Sequence, residues 1–117
     1  MEYLLLIYAE ESSLPDHMEA EEREAFYADF RKVVAEIESK GALRAARRLD
    51  TVETATTQRA VDGKALTIDG PFAETKECLG GFLLVEAEDL DQALDWAGRL
   101  PSVRIGSVEV RPIKTYS

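Results

Sequence analysis

The sequence is poor in the residues that build disulfides and metal sites: 117 residues contain one cysteine, one histidine and one tryptophan. A lone Cys78 cannot close an internal disulfide, and no histidine or cysteine cluster has zinc-ligand spacing. Cys78 has no histidine close by in sequence and reads as a small apolar residue. Basic side chains are also scarce, fourteen against twenty-three acidic ones, for a formal charge of −9. That excess repels phosphate backbones and anionic lipid heads, so neither nucleic acid nor a membrane surface is expected as a partner. Arg44, Arg47 and Arg48 form the only local basic group and read as a solvated face or as members of internal ion pairs. There is no apolar run of membrane-spanning length, no phosphate-binding glycine loop and no dinucleotide fingerprint. No cofactor is therefore expected. Met1-Glu2 leads into a strand-like run without a basic leader segment, and the expected location is cytoplasmic.

What is present is an ordinary globular composition, 45% hydrophobic and 32% charged, at the size of a single domain spanning residues 1–117. Tyr3 to Tyr8 is a short, nearly continuous apolar run, which predicts a strand in mid-sheet. Asp16 with Glu19 three residues later resembles a capping box opening a helix, and Gly41 supplies its stop. Within that helix Phe26, Phe30, Val33, Val34 and Ile37 recur at helical spacing, giving an apolar stripe to pack on a sheet. Leu43 to Leu49 is a weak strand. Thr54 to Val61 and Lys64 to Ile68 flank Asp62-Gly63, a pair suited to the two positive-φ positions of a type I′ turn, and predict a β-hairpin. Phe82 to Ala87 is a further buried strand. Asp89, with Gln92 at the third helical position, caps a second helix whose inward stripe is read as Leu90, Ala93, Leu94 and Ala97. Pro101 ends it, and Ser107 to Ile113 alternates as a half-exposed last strand.

Strand, helix, strand, hairpin, strand, helix, strand is a ferredoxin-like split βαβ plan of the α+β class, with the hairpin inserted. Two helices cover one face of a mainly antiparallel sheet. The economical cover for the other face is a second copy of the chain, giving a homodimer.

One segment concentrates chemistry. Asp69-Gly70-Pro71-Phe72-Ala73-Glu74-Thr75-Lys76-Glu77 sets four ionisable groups immediately before the two-glycine entry to a buried strand. Gly70 permits positive φ, Pro71 stiffens the turn and Phe72 is an apolar anchor. Asp69, partly desolvated at a strand end, would suit general acid/base work, with Lys76 or Arg59 holding an anionic group. Pro71, Phe72, Glu74, Lys76 and Glu77 are the candidate ligand-binding residues. The bland alternative is that Asp69 caps the Gly-Pro turn and that Glu74, Lys76 and Glu77 pair locally. A carboxylate metal site from Asp69, Glu74 and Glu77 would have Lys76 in its midst, and no metal is assigned.

The same segment, with Leu79-Gly80-Gly81-Phe82, the Asp89 to Trp96 helix and the Val108 to Ile113 ending, resembles the YCII-related family in its DGPF-motif branch over essentially the whole chain. The resemblance implies a dimeric α+β barrel with a pocket suspected of catalysis. It further implies bacterial origin, occurrence beside extracytoplasmic-function sigma factors, and kinship to a branch holding a dehydrochlorinase of chlorinated hydroxyquinols. In the enzyme-like branch a histidine of the first helix pairs with an aspartate. This first helix has no histidine in its body, and His17 stands at its very start, so the dyad is not carried over. Ala45 to Leu49 also lacks the glycines expected of the branch there.

Three functions are compatible with these residues. The first is a dimeric binding or regulatory module for a small polar molecule at the Asp69 to Glu77 segment. The second is a lyase, isomerase or dehydrochlorinase with Asp69 as general acid/base. The third is an interaction protein meeting a transcription-factor partner through the acidic Glu19 to Glu24 face.

Overall fold

The computed structural model describes residues 1–115. Six strands and two helices succeed one another as β1 (Glu2–Ala9), α1 (Ala20–Ser39), β2 (Leu43–Arg48), β3 (Thr56–Val61), β4 (Lys64–Asp69), β5 (Cys78–Glu86), α2 (Leu90–Arg99) and β6 (Gly106–Pro112). The main sheet has the order β2-β5-β1-β6 and is antiparallel throughout, which is the ferredoxin-like arrangement. β1 lies in mid-sheet as its apolar run predicts, paired with β5 on one side and β6 on the other. β3 and β4 form a separate two-stranded sheet.

Period-two alternation divides the main sheet into two faces. Tyr3, Leu5, Leu83 and Val85 point to the helices and are buried with Val33, Ile37, Ala93, Trp96 and Leu100. Leu4, Leu6, Phe82 and Leu84 point the other way; they are half-buried, paired as Leu4 with Leu84 and Leu6 with Phe82. Among the described residues no helix covers that face.

Two local expectations need correction. The first helix starts at Ala20 rather than at an Asp16 capping box; Pro15–His17 is a 3-10 turn, and Glu19 at the N-cap makes no side-chain capping bond. Asp16 is diverted by a stronger, charge-assisted partner, the Arg48 guanidinium at 2.5 Å. The inward stripe of α2 is Ala93, Trp96 and Ala97, whereas Leu90 and Leu94 are exposed. The Asp89 cap itself forms as expected, its carboxylate accepting from the Gln92 N–H at 2.9 Å while Gln92 Oε1 accepts from the Glu88 N–H at 2.8 Å.

α1 and α2 are tied by Arg99, which donates to Glu36 on α1 and to Asp95 one turn back on α2. The hydrogen bond from Arg99, reinforced by its charge, holds the Glu36 carboxyl below its ordinary 4.5. A depressed carboxylate stabilises the fold above its unfolded pKa and loses that contribution as pH falls through the folded one. Below about pH 4.5, the wild type is therefore expected to lose stability more steeply than Glu36→Gln, as read from urea midpoints across pH 3 to 6. Parallel curves would mean that this exposed pair contributes nothing.

Candidate functional site

The Asp69 to Glu77 segment links the hairpin to β5, and its backbone closes the hairpin base. Gly70 adopts φ +97°, its N–H donates to the Ala55 carbonyl at 2.7 Å, and its own carbonyl accepts from Thr57 Oγ1 at 2.8 Å. The glycine is therefore required by geometry, because a β-carbon is disfavoured at that φ. Around it the candidate catalytic Asp69 and the candidate ligand-binding Pro71, Glu74 and Lys76 are exposed, Phe72 is 74% exposed, and Glu77 is half-buried. Lys76 pairs with Glu10 at 3.5 Å, and Glu77 Oε1 accepts from Ser107 Oγ at 2.9 Å. Among the described residues the Asp69 carboxylate accepts no hydrogen bond, so it does not cap the Gly-Pro turn. Arg59 is exposed in β3, in register with Leu66 of β4. Most of the segment's side chains face solvent, and none of them lines either of the two cavities described next.

The concave surfaces lie elsewhere. A cleft of about 260 Å³ opens between α1 and the helix-facing side of the sheet. Phe26, Tyr27 and Phe30 form one wall, and Ile7, Ala46 and Leu83 face them from the strands. Gly81 lies on the sheet side, where the lack of a side chain lets the β2 backbone come close; a β-carbon there would stand 2.7 Å from the Arg47 carbonyl oxygen. The wall is mainly apolar; of its polar residues, Tyr27, Arg47, Arg48 and Ser102, the tyrosine and Arg48 are set close together. Arg48 lies over the Tyr27 ring, its guanidinium carbon 5.5 Å from the ring centre. The Tyr27 hydroxyl is buried and has no hydrogen-bond partner among the described residues. Arg48 could at best donate to that oxygen, so the phenolic proton would still lack an acceptor. Arg48 remains firmly cationic: burial works against its charge, and the Asp16 hydrogen bond together with Tyr27 outweighs it.

A second, more polar cavity of about 410 Å³ adjoins the cleft and shares Leu14, Arg48 and Gly80 with it. Glu11, Asp16, Thr51 and the half-buried Cys78 also line it. The Glu11 carboxyl is held above its ordinary value by desolvation and by a hydrogen bond shared with Glu53. Glu53 is correspondingly lowered, mostly by its hydrogen bond to Thr51. Glu11 in the cavity wall and Glu53 beside it thus act on one another, the first carboxyl shifted up and the second down.

Sequence reasoning did not single out Tyr27 or Glu11, and it read Arg48 as solvated or paired. The available signal for Tyr27 was its place beside Phe26 in a helix turn otherwise rich in charge. Nothing local marks Glu11, which meets Glu53 only through the fold. Among the described residues no group of three or more histidine, cysteine, aspartate or glutamate side chains is placed to hold a metal ion. No helix is long and apolar enough to cross a membrane.

Comparison with known proteins agrees with this architecture. An uncharacterised protein, R00369, of Rhizobium meliloti (strain 1021) is 39% identical over 118 residues, covering 99% of this chain and 94% of its own length. The solved structure of 5-chloro-2-hydroxyhydroquinone dehydrochlorinase (TftG) from Burkholderia phenoliruptrix AC1100, in complex with 2,5-dihydroxybenzoquinone, superposes with a TM-score of 0.55. Its identity is 19%, with 97% of this chain and 94% of that one aligned, a likeness of fold. The YCII-related domain matches residues 1–117, and the chain belongs to that family.

Proposed function

We propose that this protein binds a small planar molecule bearing acidic or phenolic oxygens, in the cleft between α1 and the sheet. The carrying observation is the buried Tyr27 hydroxyl, unpartnered among the described residues, beside a cationic Arg48 in a mainly apolar cleft. An apolar slot takes the face of a ring, the arginine offers charge-assisted hydrogen bonds to an anionic oxygen, and the tyrosine proton waits for an acceptor. The 2,5-dihydroxybenzoquinone bound to the structurally similar dehydrochlorinase has that chemistry. A homodimer joined through the open sheet face belongs to the same reading, as does a regulatory role beside a transcription factor. The Asp69 to Glu77 segment then meets ligand only where a second copy closes over it.

The test is calorimetry and thermal shift with 2,5-dihydroxybenzoquinone, benzoate and simple phenols on wild type and Tyr27→Phe. The apo variant is expected to be more stable by about 1 kcal/mol, since an unpaired buried hydroxyl is removed. Its affinity is expected to fall about tenfold, the loss of one hydrogen bond of comparable size. No ligand response in wild type, or equal affinity in the variant, overturns the assignment of the cleft.

A second reading, an enzyme that eliminates chloride and a proton from a chlorinated hydroquinone, is favoured by the Glu11–Glu53 pair beside the cleft. A carboxylate of that pair would then accept the substrate proton as general base, the role also proposed for Asp69, while chloride departs as the free anion. Chloride release from a chlorinated hydroquinone incubated with the wild type supports it; binding of that compound without release leaves the binding reading alone.

A further inference from the structure

The β3–β4 hairpin is an arm without a second layer. Its strands pair only with each other, and every residue of both is exposed except Thr57 and Ile68, at the base. The radius of gyration is 16.1 Å, against about 13–14 Å for a compact chain of this length. A two-stranded hairpin standing alone in water is only marginally stable, so an ordered arm needs something to pack on.

The arm is also two-faced. Its register places Thr57 with Ile68, Arg59 with Leu66 and Val61 with Lys64 on one side. Thr56 with Asp69, Gln58 with Thr67 and Ala60 with Ala65 occupy the other. The first side carries Val61, 50% exposed, and Leu66, 47% exposed, flanked by the aliphatic stems of Arg59 and Lys64. The second side is small and polar, and is already linked by a Thr67 to Gln58 hydrogen bond.

We infer that the apolar side of this arm clasps a second copy of the chain and that each copy both gives and receives one arm. The inference rests on the homodimer reading and extends it. Area favours this occupant. A four-stranded face about 19 Å across and about 23 Å long covers roughly 440 Å², whereas a stable interface takes about 800 Å² from each partner. One arm side adds roughly 190 Å²; given once and received once, it brings each copy to the required size. Charge agrees. The chain carries −9, but residues 56–69 balance Arg59 and Lys64 against Asp62 and Asp69. The open sheet face likewise mixes Arg47, Arg111 and the N-terminal amine with Glu2, Glu86 and Glu109, the amine pairing with Glu86. Two copies can therefore meet along these surfaces without the repulsion that their acidic helices would cause.

Sedimentation velocity over a concentration series, on wild type and Leu66→Glu, tests the arm. Circular dichroism would confirm that the exposed substitution leaves the fold intact. The wild type is expected to dimerise, and the variant to raise the dimer dissociation constant about thirty-fold or more. In a mixed-label dimer, the Val61 and Leu66 methyl groups are expected to show contacts to the other copy. A wild-type dimer whose dissociation constant changes less than about threefold in Leu66→Glu overturns the arm and leaves a sheet-face dimer standing. A wild-type monomer overturns both and leaves the arm to another protein. Ligand binding in the Tyr27 cleft is measured independently and survives either failure.

Discussion

Replacing Trp96 by alanine is expected to lower the free energy of unfolding by about 4 kcal/mol, measured by urea denaturation. Trp96 is 1% exposed and lies in the cluster formed with Leu5, Ile37, Leu83 and Leu100. Removing the indole sacrifices its transfer free energy and leaves a void between α2 and the sheet that two rigid layers cannot close. Small domains commonly have about 5–15 kcal/mol in total, so the variant should be partly unfolded at 37 °C. Leu94→Ala is the matched control. Leu94 is 48% exposed, and its truncation should cost no more than about 0.5 kcal/mol. If Leu94→Ala costs more than Trp96→Ala, α2 packs through the stripe read from the sequence and not through the Ala93, Trp96 and Ala97 face.

That pair of variants marks a limit of sequence reading. Leu90, Ala93, Leu94 and Ala97 satisfy helical periodicity, and so do Ala93, Trp96, Ala97 and Leu100. In a helix of ten residues the two stripes overlap, and the segment just beyond the helix decides between them: Leu100, Pro101 and Ser102 are all buried and rotate the helix to bring Trp96 inward. Signals fixed by local stereochemistry were legible. Asp62 and Gly63 adopt the two positive φ values that a type I′ turn requires, and Gly41 stops α1 at φ +67°. The motif segment was legible as a conformational feature through Gly70, but the exposure of its side chains was not. Exposure depends on which elements come to lie over a loop, and in one chain none lies over this one. The cleft was least legible because Tyr27 and Arg48 belong to separate elements, and Glu11 and Glu53 are forty-two positions apart. Only the pairing of β2 with β5 and the seating of α1 on them bring these groups together.

The same substitution, glycine to alanine, should have opposite signs at two positions in the second half of the chain, Gly106 and Gly98. Gly106 begins β6 opposite Ala9 of β1. A β-carbon there would overlap the Tyr8 carbonyl oxygen and stand 2.9 Å from the Ala9 Cα, both backbone atoms of the central strand. Backbone cannot rotate aside as a side chain can, so relief requires β6 to draw away from β1. Gly106→Ala is expected to cost about 3 kcal/mol and to accelerate amide exchange along β6. Its neighbour Ile105 lines the cleft, so ligand affinity should fall with it. Gly98 lies in α2 with nothing within 4 Å of a β-carbon. There alanine removes only unfolded-state freedom and improves helix propensity, for a gain of about 0.5–1 kcal/mol. Equal effects at the two sites would show that the close approach of β6 to Tyr8 is absent in solution. Opposite signs would establish that strand contact as the constraint holding the cleft's far wall.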